Sequence, residues 1–260
     1  MSGVAAQDGN AALLGPNDPE PVELFNAESR SPVLLICEHG GKAVPEQLGD
    51  LGLRPGDIDK HVGWDIGAAA VARRMARALE APLVLQRYSR LVTDCNRPPE
   101  APDAMPEVSD GIEVPGNRDL TTAERRVREL EIFRPYHAEV DRLFEKHPRK
   151  AIFAIHSFTP VFGGVQRAWD VGFLFRHDDE TSPRLAEALG REAPDLIIGL
   201  NQPYQIEDDS DWFVPCHGEA RGVAHSLIEI RNDLISGEAG QRLWADRLTR
   251  IITQFMETLT

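Results

Sequence analysis

The chain reads as an α/β protein built on a largely parallel sheet, and three observations predict it. Apolar runs of strand length alternate with stretches of helical spacing along most of the sequence. The run at 33–37 is continuously apolar, which marks a strand covered on both faces, 151–155 is another apolar strand, and 224–230 is a strand that carries Glu229. Four short polar motifs each close an apolar stretch: Cys37-Glu38-His39-Gly40-Gly41, Asp94-Cys95-Asn96-Arg97, Ile155-His156-Ser157-Phe158 and Ile228-Glu229-Ile230-Arg231-Asn232. In an open α/β sheet such strand ends are where ligand-binding and catalytic groups gather. No internal repeat or linker divides the chain, so a single domain is expected over 25–260, after a flexible lead-in at 1–24 rich in Ala, Gly, Asn, Pro and Asp.

Taken in order, 33–37 is the first strand, bounded by Pro32 and the Gly40-Gly41 pair. Residues 42–64 are a loop. Asp65 stands where an N-cap belongs, and Ala68, Val71, Ala72, Met75 and Leu79 follow at helical spacing. Residues 83–86 form the next strand, and Leu91-Val92-Thr93 a short extended piece leading to Asp94. The segment 98–119 is Pro-rich and acidic with no periodicity, and a loop this long acts as a lid or lacks fixed structure. Thr121-Thr122-Ala123-Glu124 matches a capping box ahead of a long helix through Leu130, Phe133, Val140, Leu143 and Phe144, with a kink expected at Pro135. Strands follow at 151–155, 171–175, 196–198 and 224–230, with a helix opened by Ser182-Pro183 between the second and third. The segment 209–221 gives no clear pattern. A C-terminal helix carries Leu243, Leu248, Ile251, Ile252, Phe255 and Leu259 on one face.

Composition narrows the function. The 260 residues are 42% hydrophobic and 27% charged, with a formal net charge of −14. Nucleic acid is therefore not expected as a partner, since binding it needs a basic surface. Cysteines 37, 95 and 216 form no CxxC, which fits a reducing, cytoplasmic setting. No apolar run reaches membrane-spanning length, no basic region precedes an apolar stretch at the N-terminus, and no membrane partner is expected. Oligomeric state is not legible.

The motif residues carry the chemistry. His39 and His156 each close a buried strand, a placement that suits metal-ligating imidazoles as well as histidines hydrogen-bonded at a strand end. A catalytic zinc site has three protein ligands and an open position. Asp65 is the first choice for the third, with Glu38 and His61 as alternatives and a plain N-cap as the competing role for Asp65. Imidazole and carboxylate ligands suit zinc but also cobalt, nickel or iron. Glu229 interrupts an apolar strand, where a carboxylate is costly unless paired or functional. Beside a metal-activated water it would act as general base, then as acid to the leaving nitrogen. Alternation puts Arg231 on its face, so an ion pair is also open. Arg97 can hold a carboxylate through two parallel hydrogen bonds, with Asn96 adding a donor, and Arg90, Arg167 and Arg231 are further candidates. An anionic substrate on so acidic a chain would need at least two of them. No G-x-S-x-G elbow, P-loop or dinucleotide fingerprint is present.

These motifs, with Tyr88-Ser89-Arg90-Leu91, Asn201-x-Pro203-Tyr204 and the extension through Asp233-Leu234-Ile235, resemble the N-formylglutamate amidohydrolase family from about 33 to 235. That family is in turn similar to the zinc carboxypeptidases in its order of metal histidine, Asn-Arg clamp, second histidine and late glutamate, places held here by His39, Asn96-Arg97, His156 and Glu229. The resemblance implies a three-layer α/β/α sandwich with a central mixed sheet. It also implies cleavage of N-formyl-L-glutamate to formate and glutamate, late in histidine breakdown. Lys42 departs from the pattern, because carboxypeptidases carry a glutamate ligand three residues after the first histidine. The expectation is a zinc-dependent amidohydrolase acting on a small anionic amide, with Zn2+ on His39, Asp65 and His156 and with Glu229 as base. The alternatives are a metallo-exopeptidase or other N-acyl amino acid deacylase, and a catalytically inactive anion-binding protein.

Overall fold

The computed structural model describes residues 12–208 and 210–259. In chain order the strands and helices are β1 (Val22–Phe25), β2 (Val33–Cys37), α1 (Ala68–Ala78), β3 (Leu83–Gln86), the hairpin β4 (Val108–Ser109) and β5 (Ile112–Glu113), α2 (Thr122–Arg128), α3 (Arg134–Lys146), β6 (Ala151–Phe158), the hairpin β7 (Val161–Phe162) and β8 (Val165–Gln166), β9 (Val171–Leu174), α4 (Thr181–Glu192), β10 (Ile198–Leu200), β11 (Ala224–Arg231) and α5 (Glu238–Glu257).

Seven strands form one sheet in the order β1-β3-β2-β6-β11-β9-β10. The four central strands β3, β2, β6 and β11 run parallel. β1 joins one edge antiparallel, β9 pairs antiparallel with β11, and β10 runs parallel to β9. Each face buries an apolar layer. Leu35, Phe153, Ile155 and Ile228 meet α1, α4 and α5, whose buried stripes include Val71, Leu189 and Ile252. Leu34, Ile36, Ile152, Ala154 and Leu227 meet Ile132, Tyr136, Val140 and Leu143 on the other side. The architecture is thus an α/β/α sandwich around a mixed, mostly parallel sheet. The continuous apolar runs follow directly, since strands with helices on both faces have no polar side.

Several local expectations are corrected. The N-cap of α1 is Gly67, not Asp65, so the Asp65 side chain is free for other partners. Leu91 and Val92 lie in turns rather than an extended piece. Pro135 does not break its helix. A single wide turn over Glu129–Phe133 joins α2 to α3 and absorbs the backbone bond that proline cannot make. α4 begins at Thr181, with Ser182 bonded to Ser226 instead of capping. The strand expected at 196–198 is β10, two residues later. The ambiguous 209–221 region contains a wide turn over Phe213–Gly218 and a tight turn over Glu219–Arg221. Residues 1–11 lie outside the described residues, but Leu13 is buried, its N–H donates to Glu131, and β1 already belongs to the sheet. The capping box at Thr121 and Glu124 is present as expected.

The segment 98–119 is neither helix nor strand for most of its length, yet it is tightly held. Asn117 donates to the carbonyls of Leu91 and Pro106. The buried Arg128 guanidinium donates to Val92 O, Gly116 O and Asn117 Oδ1. At its tip Asp110 accepts from Gly163 N–H of the second hairpin and pairs with His61. Both hairpins therefore stand together over the C-terminal ends of β2, β6 and β11.

Candidate metal centre and catalytic cavity

His39 lies two residues past β2, and its approach depends on Gly41. A Cβ there would come within 2.0 Å of the Arg87 carbonyl oxygen, so only glycine lets the chain pass beside β3. His156 sits inside β6 on the face shared with Ile152 and Ala154. Asp65 is held in the β2–α1 loop, its N–H donating to His39 O and its Oδ2 accepting from Ser157 N–H. One ligand atom from each of His39, Asp65 and His156 lies within 4.8 Å of the others, and all three residues are buried. His156 Nδ1 is 3.0 Å from Asp65 Oδ2, and His39 Nδ1 is 3.5 Å from Asp65 Oδ1 with no hydrogen bond of its own.

This donor set fits a metal. Two Nδ1 atoms and a carboxylate converge, while both Nε2 atoms are engaged on the far sides of the rings. His39 Nε2 is 2.7 Å from Asp94 Oδ1 and His156 Nε2 is 3.0 Å from Glu38 Oε2. A carboxylate behind each imidazole is the usual support for metal-binding histidines. Of the alternatives for a third ligand, Glu38 lies behind His156 and His61 pairs with Asp110. Lys42 pairs instead with the exposed Asp59. Burial pushes the Asp65 carboxyl up, but the charge and hydrogen bonds of the two imidazoles outweigh it and hold it far below the carboxylate range.

Glu229 faces the same space from β11. It is 7% exposed, and its Oε2 has no hydrogen-bond partner. Burial pushes its carboxyl up to about 7, with the neighbouring His156 opposing. Opposite it on β9 is Gly172, where a Cβ would fall 1.8 Å from Gln202 O. The absent side chain lets the 201–205 segment fold over the strand and bring Tyr204 to the cavity.

The cavity has a volume of about 600 Å3, and His39, Asp65, His156 and Glu229 are on its wall together with Arg90, Asn96 and Arg97. These arginines are already engaged. Arg90 donates to Asp94 Oδ2 at 2.8 Å, and Arg97 Nε is 3.1 Å from Asp103. Asn96 is largely committed too. Its Oδ1 accepts from Phe213 N–H, and its Nδ2 donates to Asp211, whose carboxyl burial pushes up to about 6. Arg167 stands at the rim, against the rings of Phe162 and Tyr204, donates to the Tyr204 hydroxyl, and has no carboxylate partner among the described residues. Arg231 is a correction: it pairs with Asp170 and Asp233 outside the cavity, because β11 ends there and the side chain turns toward the adjoining loops. Cys216 and His217 are outside it as well. Sequence reasoning assigned no role to Asp94, Asp211 or Tyr204. The Asp94-x-Asn96-Arg97 motif marked the first, and nothing local marked Asp211.

A family model described as N-formylglutamate amidohydrolase matches residues 31–236. The chain belongs to the N-formylglutamate amidohydrolase family. It is an amide hydrolase, and a small amide is its substrate class. Among solved structures, a gene product of Agrobacterium tumefaciens is 38% identical with a TM-score of 0.88, the alignment covering 95% of this chain and 99% of that one. The N-formylglutamate amidohydrolase of Ralstonia eutropha shares the fold at 19% identity and a TM-score of 0.69, covering 92% and 98%. No curated protein matches the chain. Among the described residues, no helix is long and apolar enough to cross a membrane.

Proposed function

We propose that this family member is a metal-dependent deacylase of N-acyl amino acids, with N-formyl-L-glutamate, giving formate and L-glutamate, as the leading substrate. The observation that carries the reading is a His-Asp-His donor set facing an unpartnered buried glutamate in one cavity. His39, Asp65 and His156 would hold the ion, zinc being the expected one. When bound it supplies Lewis acidity to the amide carbonyl and lowers the pKa of water. Glu229 takes a proton from the attacking water and returns it to the departing nitrogen, a task its buried, unpartnered carboxyl on the cavity wall suits. Arg97 and Arg167 orient the substrate carboxylates, and Asn96 has one Nδ2 hydrogen left to help. Arg90 fixes Asp94 and leans toward Asp65, at 3.5 Å. A glutamate product would place the step late in histidine breakdown, and three free cysteines suit a reducing cytoplasm.

A second reading keeps the chemistry and changes the substrate. Seven carboxylates line the cavity against two arginines, Arg90 and Arg97, and its size would accept a larger acyl amino acid or a short peptide. A monocarboxylate would meet less repulsion there than the dianionic formylglutamate. Metal content of wild type, His39→Ala and His156→Ala tests the centre: one ion per chain in wild type, lost in both variants, is expected. Formyl, acetyl and succinyl amino acids then separate the two readings. A metal-free wild type that hydrolyses none of them would overturn both in favour of anion binding.

A further inference from the structure

Glu38 is 1% exposed, and among the described residues no lysine or arginine pairs with it. Its Oε1 has no partner, and its Oε2 meets only His156 Nε2. A buried carboxylate left this poorly compensated is costly, so its place calls for a reason. The register supplies the geometry. Ile36 pairs with Ala154 in the β2–β6 ladder, so Glu38 comes level with His156 two residues further on. Asp94 behind His39 differs, because Arg90 neutralises it.

We infer that Glu38 is a positioning residue that holds His156 with its proton on Nε2, so that Nδ1 is the nitrogen turned to the metal. The inference rests on the metal centre proposed above. His156 Nε2–H donates to Glu38, the ring cannot flip without losing that bond, and the lone pair on Nδ1 is aimed at the space shared with Asp65 and His39. His39 Nε2 meets Asp94 in the same way, but that carboxylate also holds Arg90, whereas Glu38 has no partner besides His156 among the described residues.

Two measurements test this. In wild-type protein loaded with 113Cd and labelled with 15N-histidine, coupling between cadmium and His156 should appear on Nδ1, with a protonated Nε2. Coupling on Nε2 overturns the proposal and needs no variant. Chelator-competition titration of Zn2+ should show Glu38→Gln binding roughly 10- to 100-fold more weakly than wild type, with Asp94→Asn less affected. Equal affinity in folded wild type and Glu38→Gln overturns it. A wild type that binds neither metal removes the metal centre itself, a failure distinct from the other two.

Discussion

Glu229 and His156 are direct partners across the parallel β11–β6 ladder, and both side chains point to the sheet face packed by α3. A one-residue slip of either strand would send one of them to the opposite face. The register that buries Leu227 beside Ala154 therefore also sets the distance between the proposed base and a proposed ligand. Replacing Glu229 with Gln should lower kcat by about 10²- to 10⁴-fold while zinc content stays at wild-type level. Turnover within a few-fold of wild type, measured at saturating substrate, would remove Glu229 from the chemistry.

Arg167, at the rim, differs from the two arginines of the cavity wall in having aromatic rings rather than a carboxylate around it. Arg167→Ala should raise KM by about 10- to 100-fold, the worth of a hydrogen bond to a charged group, with a smaller effect on kcat. Arg167→Lys should rescue little, since a lysine cannot present a planar fork. An unchanged KM in steady-state assays would place substrate recognition elsewhere.

The link between Arg128 and the 91–117 segment predicts a stability effect. Arg128→Met leaves two carbonyls and the Asn117 amide buried without their donor, at about 1–3 kcal/mol each before relaxation. A urea midpoint lowered by several kcal/mol equivalent is expected, with faster proteolysis within 98–119. Unaltered cleavage there would show that the hairpin is held by other contacts.

A buried imidazole pair predicts the acid side of the stability curve. Arg221 donates to His217 Nδ1, so the His217 Nε2–H donates to His137 Nδ1 at 2.7 Å and both rings are neutral. Burial pushes His137 down to about 3 from its ordinary 6.5, and His217 is also held well below its usual value by burial beside His137 and Arg221. The unfolded chain then binds more protons than the folded one between about pH 6.5 and 3. Stability is full above 6.5 and falls as pH drops, by about 2 kcal/mol at pH 5 for His137 alone. His137→Gln should show a shallower loss between pH 7 and 5 in urea titrations. Parallel pH profiles for the two proteins would contradict a neutral, buried His137.

Gly172→Ala tests the cavity wall. The added methyl collides with Gln202 O, so about 1–3 kcal/mol of stability should be lost and the Tyr204 segment should move, raising KM. A variant with wild-type stability and KM would mean that the segment can give way freely.

Much of this protein is determined by local pattern. Apolar runs marked β2 and the first part of β6 because burial on both faces leaves no room for polar alternation, and the helical stripe of α1 reflects burial of its one apolar face. A polar residue ending such a run stands out, which is why His39, His156 and Glu229 were legible as candidates before any fold was known. Tertiary structure decided what the sequence left open. Asp65 joins the two histidines because the β2–α1 loop returns to the end of β6, a contact across 91 residues that no spacing rule encodes. Glu38 became a support for His156 through the β2–β6 register, and Arg231 left the cavity because its strand ended beside Asp170 and Asp233. Side-chain type and periodicity act over a few residues, whereas the partners of a buried charge are chosen by whichever distant segments the packed core brings beside it.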